Sequence, residues 1–382
     1  MSAGEVVRLG ADDHEESWRL GALAFGGDLA AAAPPRADPP RADTWGVRDD
    51  RGVLVARAVL LDHEQWWGGR LVPSAGIGGV AVHPDARGGG TASRLLRHVV
   101  AEARARGQVV SSLFPTVPGL YRRLGWELVA SLDETVVPTR AFADVGPSPL
   151  RVRTAGPADR AALEELHDAE GRTGGGALSR RGRLFPDGPV PVADVVAVAE
   201  DDGGRARGYV AYDRGRGYDA SSELVVRELV SADPAATRAL LAVLGRWHPV
   251  APSTRWHGPS APLARQLPTL VPAPDRSRPW MLRVLDPVGA VAARGWRADV
   301  DVALRLEDKG GAQTAWRLQA DAGVGRLVEG DGTGPLLHER GLALLWSGAG
   351  TASVRSAGLL DGDLPGLDAA LAGPPPVLRD YF

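Results

Sequence analysis

The chain has 382 residues, 44% hydrophobic and 24% charged, with a formal net charge of −3. That length predicts about two or three domains; no uncharged apolar run is long enough for a bilayer span, and no excess of positive charge points to nucleic acid. There is no cysteine, which excludes disulfides, thiolate metal sites and cysteine nucleophiles and fits a cytoplasmic setting.

The start, Met1-Ser2-Ala3-Gly4-Glu5, lacks a basic region followed by an apolar core and predicts no secretory signal. Acidic residues at 12–16 open a helix that runs to Phe25. A breaker-rich loop follows over 26–43, with Pro34-Pro35 and Pro39-Pro40; loops of this length are usually functional or mobile. Strands are expected at 52–62, 70–73 and 77–82.

The last of these strands runs into Val80-Ala81-Val82-His83-Pro84-Asp85-Ala86-Arg87-Gly88-Gly89-Gly90-Thr91-Ala92, and a helix over 91–106 begins at once. Unpaired N–H groups and the positive dipole end make a helix start an anion site. The three glycines let the backbone approach a phosphate closely. The spacing is neither Gly-x-Gly-x-x-Gly nor Gly-x-x-x-x-Gly-Lys-Ser/Thr, so the dinucleotide and Walker readings fail.

Further on, a strand at 109–113 precedes a short helix and turn, Gly119-Leu120-Tyr121-Arg122-Arg123-Leu124-Gly125-Trp126, then strands at 127–131 and 135–138. Gly146-Pro147-Ser148-Pro149 reads as a linker to a second α/β pattern. That pattern contains an echo of the first: strand, Asp233-Pro234 turn, helix, with Ala235 and Ala236 where glycines would be needed. From about 280 the pattern becomes α+β: a strand at 279–285, a helix at 287–295, alternating strands at 300–306, 313–319 and 325–329, and helices at 335–346 and 364–371.

The histidines form no metal site: His83 reads as structural, and Glu164-x-x-His167 as a solvated helix face, since no second such motif exists. The run Arg180-Arg181-Gly182-Arg183 likewise reads as a solvated surface. No Gly-x-Ser-x-Gly elbow is present.

Arg87-x-x-Gly90-x-Ala92 after a strand resembles the pyrophosphate-binding signature of the GNAT superfamily of N-acetyltransferases. The whole layout resembles the enhanced intracellular survival (Eis) family within it, most specifically at 80–93, at 119–126 and at the aromatic end Tyr381-Phe382, and more loosely at 280–284 and 293–296. The resemblance implies an α/β (α+β) chain of tandem GNAT-like acetyltransferase domains, a catalytic one at 1–147 and a degenerate one at 148–279, followed by a sterol-carrier-protein-like α+β domain at 280–382.

It also implies an acetyl-coenzyme A-dependent N-acetyltransferase acting on a small-molecule primary amine. Val80, Ala81 and Val82 would pair with the pantetheine arm as an added strand. Arg87, Gly88, Gly89, Gly90, Thr91, Ala92 and Ser93 would hold the pyrophosphate, and Thr116 and Val117 would lie near the acyl end. Acyl transfer to an amine needs the amine deprotonated and the departing thiolate protonated. In such enzymes Tyr121 would supply the proton, a phenol having an ordinary pKa of about 10, and the C-terminal carboxylate of Phe382 would be the base.

Multi-amine acceptors such as aminoglycosides or lysine side chains, and a homo-hexamer, are part of the same implication, with Asp28 and Asp380 as candidates for attracting such polycations. The Ala/Pro-rich loop over 29–40 has no counterpart in the family. Two other classes compete: a non-catalytic acyl-coenzyme A-binding regulator, and a lipid carrier working through the last domain.

Overall fold

The computed structural model describes residues 4–35, 42–182, 184–185 and 190–382. Met1 to Ala3, the Pro39-Pro40 end of the breaker-rich loop and Arg183 of the arginine run lie outside these residues.

The N-terminal part comprises β1 (Val6–Arg8), α1 (His14–Phe25), β2 (Asp43–Arg48), β3 (Leu54–Trp67), β4 (Arg70–Val82), α2 (Thr91–Ala105), β5 (Val110–Leu113), α3 (Pro118–Arg122) and β6 (Glu127–Pro138). Gly68 and Gly69, both at positive φ, form the two-residue turn between β3 and β4, the conformation that matches the twist of a hairpin. Leu95, Leu96, Val99, Val100 and Ala103 recur at helical period on α2 and are buried with Leu60, Ile77, Leu113, Tyr121 and Trp126.

The middle part comprises β7 (Arg151–Thr154), α4 (Arg160–Thr173), β8 (Gly175–Leu178), β9 (Val195–Glu200), β10 (Ala206–Arg214), β11 (Glu223–Ser231), α5 (Pro234–Gly245), β12 (Ser253–His257) and α6 (Ser260–Ala264). The C-terminal part comprises β13 (Arg276–Val284), α7 (Pro287–Ala293), β14 (Val300–Glu307), β15 (Gln313–Asp321), β16 (Val324–Glu329), β17 (Leu336–His338), α8 (Glu339–Trp346), α9 (Thr351–Ser356), β18 (Leu360–Asp361) and α10 (Leu367–Leu371).

Among the described residues one sheet runs β1-β2-β3-β4-β5-β13-β6-β12-β11-β10-β9-β7, with β8 attached to β3. A second sheet runs β16-β15-β14-β17-β18. The two halves of the large sheet are joined side by side through β6 and β12, which pair antiparallel from Pro138↔Ser253 to Glu134↔His257. β13 inserts between β5 and β6, so the strand that opens the C-terminal part completes the N-terminal sheet.

Several elements differ from the expectations. The segments at 70–73 and 77–82 are one strand, because Pro73 pairs across the hairpin with Glu64 without ending the ladder. The segments at 127–131 and 135–138 are also one strand, held between β13 and β12. At 335–346 a short strand precedes the helix, since 336–338 pair with β14. Among the described residues no helix is long and apolar enough to cross a membrane.

Leu95 is fully buried where α2 packs on the sheet. Leu95→Ala is expected to lower stability by about 2–5 kcal/mol, read as a lower urea midpoint with an unchanged slope.

Candidate functional site

The site begins where two strands part. β5 pairs with β4 only from Ser74↔Val110 to Gly76↔Ser112. From Ile77 to Val82, β4 continues with β3 alone, so its other edge faces a gap. The register jumps between Arg57↔Ala81 and Val59↔Gly78, which puts a bulge at Gly79 and Val80. Gly79 has a φ of 54° there, and bulges re-aim backbone groups.

Beyond Val82 the chain makes a single turn at Pro84–Ala86 and enters the glycine run. Gly88 and Gly90 have positive φ, and a Cβ built on Gly88, Gly89 or Gly90 would meet nothing within 4 Å. α2 starts after Gly90 with no side-chain cap, so its first N–H groups stay available. Arg87 donates through Nε to the Val82 carbonyl at 3.2 Å, and Thr91 donates to the Ala86 carbonyl at 3.2 Å. An open strand edge, an unobstructed glycine loop and an uncapped helix start fit a pantetheine pyrophosphate. Across the gap, the loop after β5 carries Thr116 and Val117, both exposed.

Tyr121, on α3, is buried in the same cluster against which Val80 and Val82 pack. Its ring meets Trp126 edge-on at 6.1 Å. Burial pushes its hydroxyl up to about 12, which keeps it protonated at any physiological pH.

The C-terminal tail reaches this gap after passing β8 and α4. Val377 N–H donates to the Gly175 carbonyl at 2.8 Å, Leu378 is fully buried, and Arg379 binds Glu170 through two contacts of 2.6 and 3.0 Å. Asp380 accepts from Arg180 Nε at 2.9 Å. Tyr381 lies between Phe114 and the Arg278 guanidinium, and the Phe382 ring contacts Phe114 and His63. The seat is cut to measure in β4: a Cβ on Gly76 would fall 3.0 Å from Phe382 Cε2, and one on Gly78 would fall 3.1 Å from the Phe382 carboxyl carbon. The carboxyl thus lies one residue from the bulge.

A cavity of about 480 Å³ adjoins it, with Leu61, His63, Leu132, Phe185, Tyr381 and Phe382 among its walls. Asp380 is the one acidic side chain among its described lining residues, and its charge is matched by Arg180. Asp28 lies elsewhere, on an exposed loop, where it caps the Ala30 N–H at 2.9 Å. His63 and the leucines were not anticipated, because alternation along β3 marks only buried positions and not which of them face a cavity. His63 is buried, neither ring nitrogen has a hydrogen-bond partner, and burial pushes its pKa down to about 3.

Two surface assignments fail. His167 is buried, with Nε2 at 2.9 Å from the Leu178 carbonyl, and Arg180 is buried against Glu228 at 2.6 and 3.0 Å. Both line a cavity that the tail borders, and neither the helical spacing at His167 nor the arginine run at Arg180 distinguishes such a wall from a solvated face. The Glu228 carboxyl is desolvated, yet the Arg180 charge and His167 hold it well below the usual carboxylate range.

A histidine with a depressed folded pKa supports stability fully above its unfolded value and loses that support as pH falls toward the folded one. For His63 the window runs from about 6.5 down to about 3. Between pH 7 and pH 5 the wild type is expected to lose about 2 kcal/mol more than His63→Leu, read by urea denaturation at both pH values.

Comparison with known proteins agrees with this geometry. Residues 5–129 match the model of an acetyltransferase (GNAT) domain, and residues 176–284 match a second model of that description. An uncharacterized N-acetyltransferase of Streptomyces griseus is 31% identical over 302 residues, covering 68% of each chain. The crystal structure of a GCN5-related N-acetyltransferase from Kribbella flavida is 30% identical and superposes with a TM-score of 0.82 over 99% of this chain and 98% of that one. Eis1 from Mycobacterium abscessus, at 22% identity, shares the fold with a TM-score of 0.77 over 99% and 100% of the two chains. The chain belongs to the GNAT family of N-acetyltransferases, in the Eis-like fold, and acetyl-coenzyme A is accordingly its cosubstrate.

Proposed function

We propose that the protein transfers the acetyl group of acetyl-coenzyme A directly to a primary amine bound in the 480 Å³ cavity, with Tyr121 as general acid and the Phe382 carboxylate as base. The observation that carries this reading is the Phe382 carboxyl against Gly78, beside the β4 bulge and the open strand edge. Acetyl-coenzyme A supplies an activated thioester. The chain does the rest.

Val80 and Val82 bind the pantetheine arm along the free edge, while Ala81 between them is turned to Arg57 of β3 and holds the strand in place, and the first N–H groups of α2 with residues 87–93 hold the pyrophosphate. Thr116 and Val117 border the acyl end. The carboxylate of Phe382 attracts the acceptor's ammonium and takes its proton. Tyr121 keeps its own proton until the departing sulfur needs it, because burial in an apolar cluster disfavours the phenolate.

The leucines and aromatic rings of the cavity wall support an acceptor with an apolar body. The four arginines among its described lining residues, Arg180, Arg227, Arg278 and Arg379, are each held by a carboxylate, which leaves the Phe382 carboxylate to meet the amine. The multi-amine acceptors implied by the resemblance would need a field of carboxylates, and among the described lining residues Asp380 is already paired. A lipid-carrier role for the C-terminal part is opposed by its interior: the void among Leu304, Leu318, Leu345 and Trp346 measures about 10 Å³, about the space of one water. The three-part division at 147 and 279, the sterol-carrier-like character of the last part, the cytoplasmic setting and the homo-hexamer belong to this proposal, and sedimentation velocity reads the last directly.

Thiol release from acetyl-coenzyme A measures the activity cleanly, since a cysteine-free protein contributes no thiol of its own. Arylalkylamines are expected to turn over with higher kcat/KM than aminoglycosides; the reverse order would return the acceptor to the polycations. Tyr121→Phe is expected to lower kcat by about 10²–10⁴ with acetyl-coenzyme A affinity nearly unchanged. Adding three residues after Phe382 moves the carboxylate away, and turnover is expected to fall sharply while the coenzyme still binds. Unchanged turnover would remove Phe382 from the mechanism.

A further inference from the structure

The middle part contains a second cleft built on the same strand geometry. β11 pairs with β12 only from Glu223↔Ser253 to Val226↔Trp256, and then runs on with β10 alone to Ser231. Its register jumps between Ala211↔Glu228 and Tyr212↔Val226, a bulge at Arg227 matching the one in β4. At the strand ends, His83 N–H donates to the Val55 carbonyl and Ala232 N–H to the Arg207 carbonyl. By strand alternation, the backbone polar groups of Leu229 and Ser231 therefore face the gap, as those of Val80 and Val82 do in the first cleft.

The gap is a cavity of about 350 Å³, within the range of small-ligand sites. Leu229, Leu241, Trp256 and Leu263 supply apolar walls, and the tail closes it through Val377 and Arg379. His167 lines it with an Nδ1 that has no hydrogen-bond partner and lies 3.7 Å from Glu228 Oε1.

What differs is the phosphate end. Residues 84–90 separate His83 from α2, whereas only Asp233 separates Ala232 from α5. Asp233 caps that helix, accepting from Ala236 N–H at 2.9 Å, and is itself bound by Arg207 at 2.6 Å. A carboxylate stands where an anion would sit, so the cleft keeps the strand edge and rejects a phosphate.

We propose that this second cleft binds a small neutral ligand bearing two secondary amides in an extended chain, hydrogen-bonded to the backbone of Leu229 and Ser231. Dephosphorylated pantetheine and a blocked dipeptide share that chemistry. The site is independent of the acceptor's identity.

The test uses the full-length protein saturated with coenzyme A, so that the first cleft is filled; coenzyme affinity is measured separately and reports on the first site alone. Pantetheine and N-acetyl-alanyl-alanine methylamide are then titrated by calorimetry. One further equivalent is expected to bind, and the tighter of the two probes identifies the source. Thr237→Trp and, at the rim, Gln266→Trp fill the cavity and are each expected to weaken that binding at least about tenfold, leaving coenzyme affinity unchanged. Two variants guard against one that fails to fold. Absence of binding by both probes, or binding undiminished in a folded variant, overturns the proposal.

Discussion

The arrangement depends on one buried guanidinium. Arg180 holds both oxygens of Glu228 on β11 and one oxygen of Asp380 in the tail, so a single side chain ties the middle part to the C-terminal segment that ends against β4. Its backbone sits at a φ of 50°, a region that costs a non-glycine residue about 1 kcal/mol. Burying three charges is expensive, and the attraction among them offsets this only when every hydrogen bond is made. Here Tyr209 also donates to Glu228, and Arg379 beside it is bound by Glu170. The network contributes position more than stability. It fixes where Phe382 lies.

That position matters because the tail has little else to register it. A peptide laid across the large sheet could slide by a residue, and a one-residue slip would withdraw the Phe382 carboxyl from Gly78. The ion pairs at Arg379 and Asp380, the buried Leu378 and the backbone bond from Val377 to Gly175 set the register before the chain reaches β4. The two glycines then admit the ring and the carboxyl, which a Cβ at either position would press aside by a few tenths of an ångström.

The large sheet carries the same motif twice and uses it differently. In both halves a bulged strand outruns its parallel neighbour and leaves an edge facing a gap. In the first half the helix start is uncapped and the glycine loop before it is bare. In the second the loop is missing and Asp233 caps the helix. The two clefts therefore differ in one short segment between strand and helix, while the strands themselves are alike. The tail lies between the two, and Arg379 and Asp380 border both cavities.

The sequence by itself determined the phosphate end of the site. Glycines at 88–90 after a strand and before a helix have few physical uses, and the period of α2 and the alternation of the C-terminal strands follow from local burial. The second cleft's lost loop was equally visible at Asp233-Pro234. What only the tertiary structure decided depends on partners far apart in the chain: that β13 completes the N-terminal sheet, that Arg180 and His167 are interior, and that His63 and Leu61 face the cavity beside the tail. Alternation tells which side of a strand is covered. It cannot tell whether the cover is a helix, a neighbouring strand or a cavity, because that depends on segments whose separation along the chain carries no periodic signal.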